Sequence, residues 1–187
     1  RSKRGNSRKL KMANQIGAYS LYICFFASIY LIFKSYISSK DFDKTINQTF
    51  FATLSVQLSM TILSFFTLVF AFVFSDFSNI TVFNNSHTLK PLFYKISGTW
   101  GNHEGSLLLW LLVLTFFLFI FFVTSKKMNI SYRILTILFQ EIIILGFLLF
   151  ILFTSNPFLN ILPIPNEGLG LNPILQDPAL AIHPPLL

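Results

Sequence analysis

Charge is scarce in this sequence, cysteine is almost absent, and proline is confined to Pro91 until residue 157. Only 11% of the 187 residues are charged, against about a quarter in an ordinary soluble domain, which excludes a globule wetted on every side. The single cysteine, Cys24, rules out an intrachain disulfide, a CxxC redox pair and a cysteine metal cluster, and it leaves the redox compartment unread. Acidic residues number 7 against 14 basic ones, for a formal net charge of +7. In a soluble protein that surplus would suggest nucleic acid. Here Arg1, Lys3, Arg4, Arg8, Lys9 and Lys11 crowd the first eleven positions, the pattern of a headgroup-binding or assembly tail, so no nucleic-acid partner is expected.

What the sequence has in abundance is apolar residues, 53% of the chain with 24 Phe. They gather into four blocks, Ile16–Phe33, Phe50–Phe74, Leu107–Val123 and Ile134–Phe153. At about 1.5 Å per helical residue, each is long enough to cross a hydrocarbon core about 30 Å thick. The first block follows a basic stretch, as a secretory signal would. Its length exceeds the usual signal core and no small-residue cleavage site follows, so it is expected to be a retained helix. Strands of a membrane barrel would alternate apolar and polar residues, whereas these blocks are apolar on nearly every face. The expected fold is an all-α integral membrane protein with four transmembrane helices and a Pro-rich irregular extramembrane tail.

The expected organisation is a basic N-terminal tail over 1–15, a four-helix membrane domain over 16–153 and a Pro-rich segment over 154–187. That last segment holds seven of the eight prolines, which fix backbone angles and prevent long helices, so a stiff irregular surface run with short turns is expected. With four crossings, the N-terminus, the polar connection Ser75–Ser106 and the tail share one side. Basic residues divide almost evenly between the sides, with a slight excess beside the tail, so the positive-inside rule does not decide the orientation. The abundance of Phe, Ile, Asn and Lys is what an AT-rich, organelle-borne gene would produce, although membrane helices favour Phe and Ile anyway.

Within the tail, His183 is the one ligand candidate, stiffened by Pro184 and Pro185. Neutral imidazole is a common axial ligand for haem iron, and rigid flanks reduce the entropy lost on binding. A surface histidine capping a turn fits the same spacing and is the commoner outcome.

Longer motifs narrow the choice. The run Trp100-Gly101-Asn102-His103-Glu104-Gly105-Ser106-Leu107-Leu108-Leu109-Trp110 is similar to the W-G-G-H-E-G-S-L-L-L-W of CcmF-type cytochrome c haem lyases, with Asn102 in place of one glycine. The tail resembles the same family just after its fourth helix, through Asn156-Pro157-Phe158, Glu167-Gly168, Leu171-Asn172-Pro173, Leu175-Gln176-Asp177-Pro178 and His183-Pro184-Pro185-Leu186-Leu187. Ser75-Asp76-Phe77-Ser78 and Phe93-Tyr94-Lys95 also fit. The resemblance covers roughly Ser75 to Leu187 in the family's order, and the first two helices fit by hydropathy alone.

The resemblance implies the N-terminal part of a haem lyase. Such an enzyme joins the vinyl groups of haem to the two thiols of a C-x-x-C-H motif in apocytochrome c. Haem is then a substrate delivered by a haem chaperone, and His183 would be its axial ligand, in a role of positioning rather than chemistry. The 154–187 run would open the family's haem-platform region. The family's tryptophan-rich W-G-x-x-W-x-W-D motif and its further haem-binding histidines have no counterpart here. One part of a split holocytochrome c synthase is therefore expected, completed by a C-terminal lyase chain carrying the tryptophan-rich motif. The implied location is the mitochondrial inner membrane, or a bacterial inner membrane if the chain is not organellar, with the tail facing the intermembrane space or periplasm. The alternative is a non-catalytic structural subunit of a larger respiratory-type assembly descended from such a lyase.

The remaining candidates have bland readings beside sharp ones. His103 and Glu104 lack the second histidine of an H-E-x-x-H zinc helix, and no metal other than haem iron is expected. Gly101 and Gly105 permit a tight lead into the third helix, Ser106 is its expected cap, and Glu104 suits its dipole. Trp100 and Trp110 fit an interfacial belt, though Trp100 could border the haem platform. Asn172, Gln176 and Asp177 would shape the proline-framed turns or bond haem propionates. His87 reads as a solvated loop residue. Glu141, deep in the fourth block beside Gln140, demands a partner, and a hydrogen bond from another chain is the expected one over a proton path.

Overall fold

The computed structural model describes residues 2–38, 44–170 and 178–179. Its helices are α1 (Ser2–Ile37), α2 (Lys44–Val73), α3 (Ile80–Asn85), α4 (Leu92–Gly98), α5 (His103–Thr124) and α6 (Ile130–Phe153), with one 3-10 turn at Ser125–Lys127. Four stretches are long and apolar enough to span a membrane: Met12–Ile37, Asn47–Val73, His103–Lys127 and Ile130–Phe153. The all-α membrane fold expected from the sequence is the fold observed.

Burial along each spanning helix follows alternating steps of three and four residues. On α1 it falls at Asn14, Gly17, Leu21, Cys24, Ser28, Leu31 and Ser35, and it continues at Ser38 just past the helix end. On α2 the positions are Phe50, Leu54, Gln57, Thr61, Ser64, Leu68 and Ala71, on α5 they are Leu108, Leu111, Thr115, Leu118 and Phe122, and on α6 Ile134, Ile137, Glu141, Ile144, Leu148 and Ile151. A repeat averaging 3.5 residues is the signature of helices coiling left-handedly about one another. The four form a ring in which α1 packs on α2 and α6, while α5 packs on the same two. The α1 and α2 seams are rich in small and hydroxyl side chains, which let backbones approach closely where lipid provides no hydrophobic drive. Ser64 Oγ thus donates to Gly17 O at 3.1 Å, and Cys24 Sγ to Gln57 O at 3.4 Å.

Among the described residues of the spanning helices, Glu141 and Arg133 are buried and hydrogen-bonded within the chain. Glu141 on α6 is fully buried, and its Oε2 accepts from Ser28 Oγ of α1 at 2.7 Å and Gln57 Nε2 of α2 at 3.1 Å. Two neighbouring helices thus supply donors to one carboxylate oxygen, while Oε1 is buried with no partner within the described residues. Near the start of the same helix, Arg133 donates to Ser125 Oγ at 3.0 Å, Asn47 Oδ1 at 3.1 Å and Phe122 O at 2.7 Å, with its guanidinium 4.2 Å from the Phe122 ring centroid. In this way each of the two side chains links α6 to the elements packed beside it.

Candidate functional site at the loop end of the bundle

The polar connection between α2 and α5 is not featureless. Asn79 begins α3 as its N-cap, with Oδ1 accepting from Thr81 N at 2.8 Å and Val82 N at 3.1 Å. Its Nδ2 donates to Asn14 Oδ1 at 2.7 Å and Pro157 O at 2.8 Å. Asn14 in turn donates to Phe158 O at 3.0 Å and Asn160 Oδ1 at 2.7 Å. One amide network thus joins α1, the start of α3 and the run after α6. An antiparallel bridge between Asn79 and Asn160 reinforces it, through Ile80 N to Leu159 O and Ile161 N to Ser78 O, both 2.9 Å. Phe158 seats its ring on Gly17, where a Cβ would lie 2.4 Å from the ring.

The Trp100–Trp110 run leads into α5. The cap is Asn102, not Ser106: Asn102 Oδ1 accepts from Gly105 N at 2.8 Å, while Ser106 Oγ donates back to His103 O at 3.0 Å. Asn102 Nδ2 also donates to Gly98 O at 2.7 Å, closing the turn between α4 and α5. The turn is so tight that a Cβ on Gly105 would fall 1.6 Å from Thr99 O. Gly101 is half-buried in that turn, and Trp100 is half-buried against the core. Glu104 occupies the first turn of α5, where the dipole favours an acid. His103, exposed, shares a hydrogen bond with Ser155 Oγ at 3.0 Å and meets the Phe150 ring edge-on. Its hydrogen-bond partner belongs to the start of the tail. Among the described residues no three His, Cys, Asp or Glu side chains gather as a metal site.

Further along the tail, the Glu167 carboxylate accepts from Thr88 N at 2.9 Å and from the Thr88 hydroxyl, with His87 Nε2 at 3.9 Å. The Thr88 hydroxyl and backbone amide hold this carboxyl down at about 2, with smaller help from Gly168 N and His87. Leu169 N then bonds Phe83 O at 2.8 Å and Gly170 N bonds Ser86 O at 3.1 Å. Gly168 lies so close to the α3–α4 loop that a Cβ would meet Ser86 O at 2.1 Å, and Gly170 takes φ +94°. Lys90, donating to Asn85 O at 3.2 Å, is pushed down to about 8 by burial. His87 is a partly exposed loop residue, as the sequence suggested, and it also lies beside Glu167.

His183, Asn172, Gln176, Asp177, Pro184 and Pro185 lie outside the described residues. The structure therefore brings together Trp100, Gly101, His103 and Glu104 at the bundle end, beside the start of the tail. Sequence reading missed Asn14 and Asn79 as the organisers of this end; the available signal was an amide at the margin of an apolar block, where a polar side chain needs a partner.

Comparison with known proteins points in one direction. The family model described as Cytochrome C assembly protein matches residues 100–187. The chain is 52% identical over 124 residues to the cytochrome c-type biogenesis protein CycK of Rhizobium meliloti, covering 66% of this chain and 18% of that one. It is 50% identical over 127 residues to the cytochrome c-type biogenesis protein CcmF of Escherichia coli, covering 66% and 19%. The chain thus spans about a fifth of the length of the curated relatives it matches. A solved structure titled Cytochrome c Heme Lyase CcmF superposes with a TM-score of 0.70 at 19% identity, over 79% of this chain and 25% of that one, a likeness of fold.

Proposed function

Since the chain belongs to the CcmF-type family of cytochrome c assembly proteins, we propose that it is the N-terminal portion of a haem lyase that attaches haem covalently to apocytochrome c. The observation that carries this reading is the anchored run after α6. Ser155, Phe158, Asn160 and Glu167 are each fixed to the bundle end, so the family-matched segment leading to His183 sets out from a firm base beside the Trp100–Glu104 turn. His183, framed by Pro184 and Pro185, is the axial ligand to the delivered haem. Asn172, Gln176 and Asp177 shape the approach to it or bond the propionates.

Haem is the substrate. Each thioether forms when a thiol sulfur bonds one vinyl carbon and the thiol hydrogen ends on the other, so the protein contributes orientation and no nucleophile. A second chain carrying the tryptophan-rich motif completes the haem platform, a haem chaperone delivers the substrate, and apocytochrome c receives it. The assembly sits in the mitochondrial inner membrane, or in a bacterial inner membrane, with the loop-bearing end in the intermembrane space or periplasm.

Mild-detergent purification with mass spectrometry of the co-purifying chains and a haem absorption spectrum, repeated on His183→Ala, tests this. Recovery of a tryptophan-rich partner, with haem that diminishes in the variant, is expected. Recovery within a respiratory assembly, with no haem change, replaces the lyase by the structural subunit.

A further inference from the structure

Glu141 turns into the bundle, but the residue before it does not. Gln140 is partly exposed on the outside of α6, ten residues from Ile130 and thirteen from Phe153 at the two ends of its span. At about 1.5 Å per residue it lies roughly 15–20 Å from either end, too far for its side chain to reach headgroups or water. Its amide makes no hydrogen bond to any described residue. Hydrocarbon offers neither donor nor acceptor, so a primary amide at this depth stays costly until a second helix meets it. From Gln140 an outer stripe runs through Ile143, Phe147 and Phe150, each one residue before a member of the inner seam Glu141, Ile144, Leu148 and Ile151. On that side Ile143, Gly146, Phe147 and Phe150 line a cleft of about 360 Å³ whose other wall is Leu107 of α5. A Cβ on Gly146 would meet nothing within 4 Å, so the backbone there is open to close approach by another helix.

We propose that this face of α6, with Gln140 as its polar contact and Gly146 as its point of closest approach, docks a transmembrane helix of the chain that completes the lyase; the inference rests on the function proposed above. That helix carries a hydrogen-bonding side chain at mid-membrane, able to answer the Gln140 amide, and an apolar side chain that enters the cleft beside Gly146. A lipid tail fills such a cleft but leaves the amide unanswered. A second copy of this chain would answer the amide, yet the solved lyase fold favours the completing chain. Its match to this chain takes in 25% of its length, so three-quarters of that fold lies outside the match and has to pack in the same membrane. Gln140, Ile143 and Gly146 take no part in the inner seams, so the face is formed before a partner arrives.

The test uses the full chain co-purified with its partners. The photo-crosslinking residue p-benzoylphenylalanine replaces Ile143, and the adduct formed on illumination is identified by mass spectrometry. Gln140→Leu removes the amide at nearly constant volume, Gly146→Leu fills the point of closest approach, and Phe66→Leu, on the exposed side of α2, is the control. A crosslink from position 143 to a spanning segment of the tryptophan-rich chain is expected. Recovery of that chain should fall about fivefold in Gln140→Leu, the equivalent of one lost interhelical hydrogen bond, and comparably in Gly146→Leu, while Phe66→Leu leaves it unchanged. An adduct with lipid alone, or with a second copy of this chain, overturns the named occupant. Unchanged recovery in both α6 variants, or an equal loss in Phe66→Leu, overturns the face. A wild-type chain that brings down no tryptophan-rich partner overturns the lyase reading and this occupant with it, whereas recovery of that partner without the crosslink overturns the docking alone.

Discussion

Asparagine carries the loop-bearing end of this protein. Asn102 caps α5, Asn79 caps α3, and Asn14 receives from Asn79 while donating to the tail. Each amide offers two donors and an acceptor, and these go to different segments, which is why one residue type can tie three together. Little of this is legible in the sequence, since an Asn at the margin of an apolar block signals the need for a partner but not which segment supplies it. The caps are half legible: a cap before α5 is expected, but the sequence points to Ser106, because Asn102 reads as a substituted glycine. Glu167 supports a prediction at this scale. Its folded carboxyl sits at about 2 against an ordinary value of 4.5, so its contribution is fully present above the ordinary value and lost as pH falls through the folded one. Protection of the Leu169 amide, followed by exchange corrected for intrinsic rate, should therefore stay flat above about pH 5 and fall only on acidification toward about pH 2. A fall already complete well above about pH 5 would show that the Glu167 carboxylate does not govern this contact.

At the scale of elements, the four spanning helices are the legible part, since length and hydropathy suffice when lipid is the solvent. Helices α3 and α4 leave no such signal, being 6 and 7 residues long and set within a polar connection. Their stability comes from docking and not from helix propensity. The contact between α1 and the tail gives this scale its prediction. Phe158 rests directly on Gly17, so Gly17→Leu should drive the ring away and cost about 1–3 kcal/mol as overpacking. The measurement is thermal unfolding in detergent together with limited proteolysis of the tail. The double variant Gly17→Leu/Phe158→Ala should recover part of the loss, because the two side chains compete for one space. Equal loss in the double variant would show that the clash lies elsewhere.

For the whole molecule, the sequence tells which segments share a side and not which side that is. Basic residues flank both ends of the spans, among them Lys126, Lys127 and Arg133 at the short-loop end, so charge cannot choose. Arg133 is further committed to internal bonds with Ser125, Asn47 and Phe122. Because Cys24 is the only cysteine and is buried, introduced cysteines report orientation cleanly. Leu89→Cys, at a position 87% exposed, should react with an impermeant maleimide added from the intermembrane space or periplasm. Lys126→Cys should react only after permeabilisation. The reverse pattern would put the tail on the wrong side for meeting apocytochrome c and would end the lyase proposal.

The Glu141 contacts also bear on how such a chain enters a bilayer. Its two donors, Ser28 and Gln57, belong to α1 and α2, which emerge first during synthesis and carry no buried charge among their described seam residues. A neutral hairpin can wait in lipid, whereas α6 arrives bearing an acid that has nowhere else to go. The first hairpin therefore already carries the two donors that Glu141 Oε2 accepts from once α6 packs beside it.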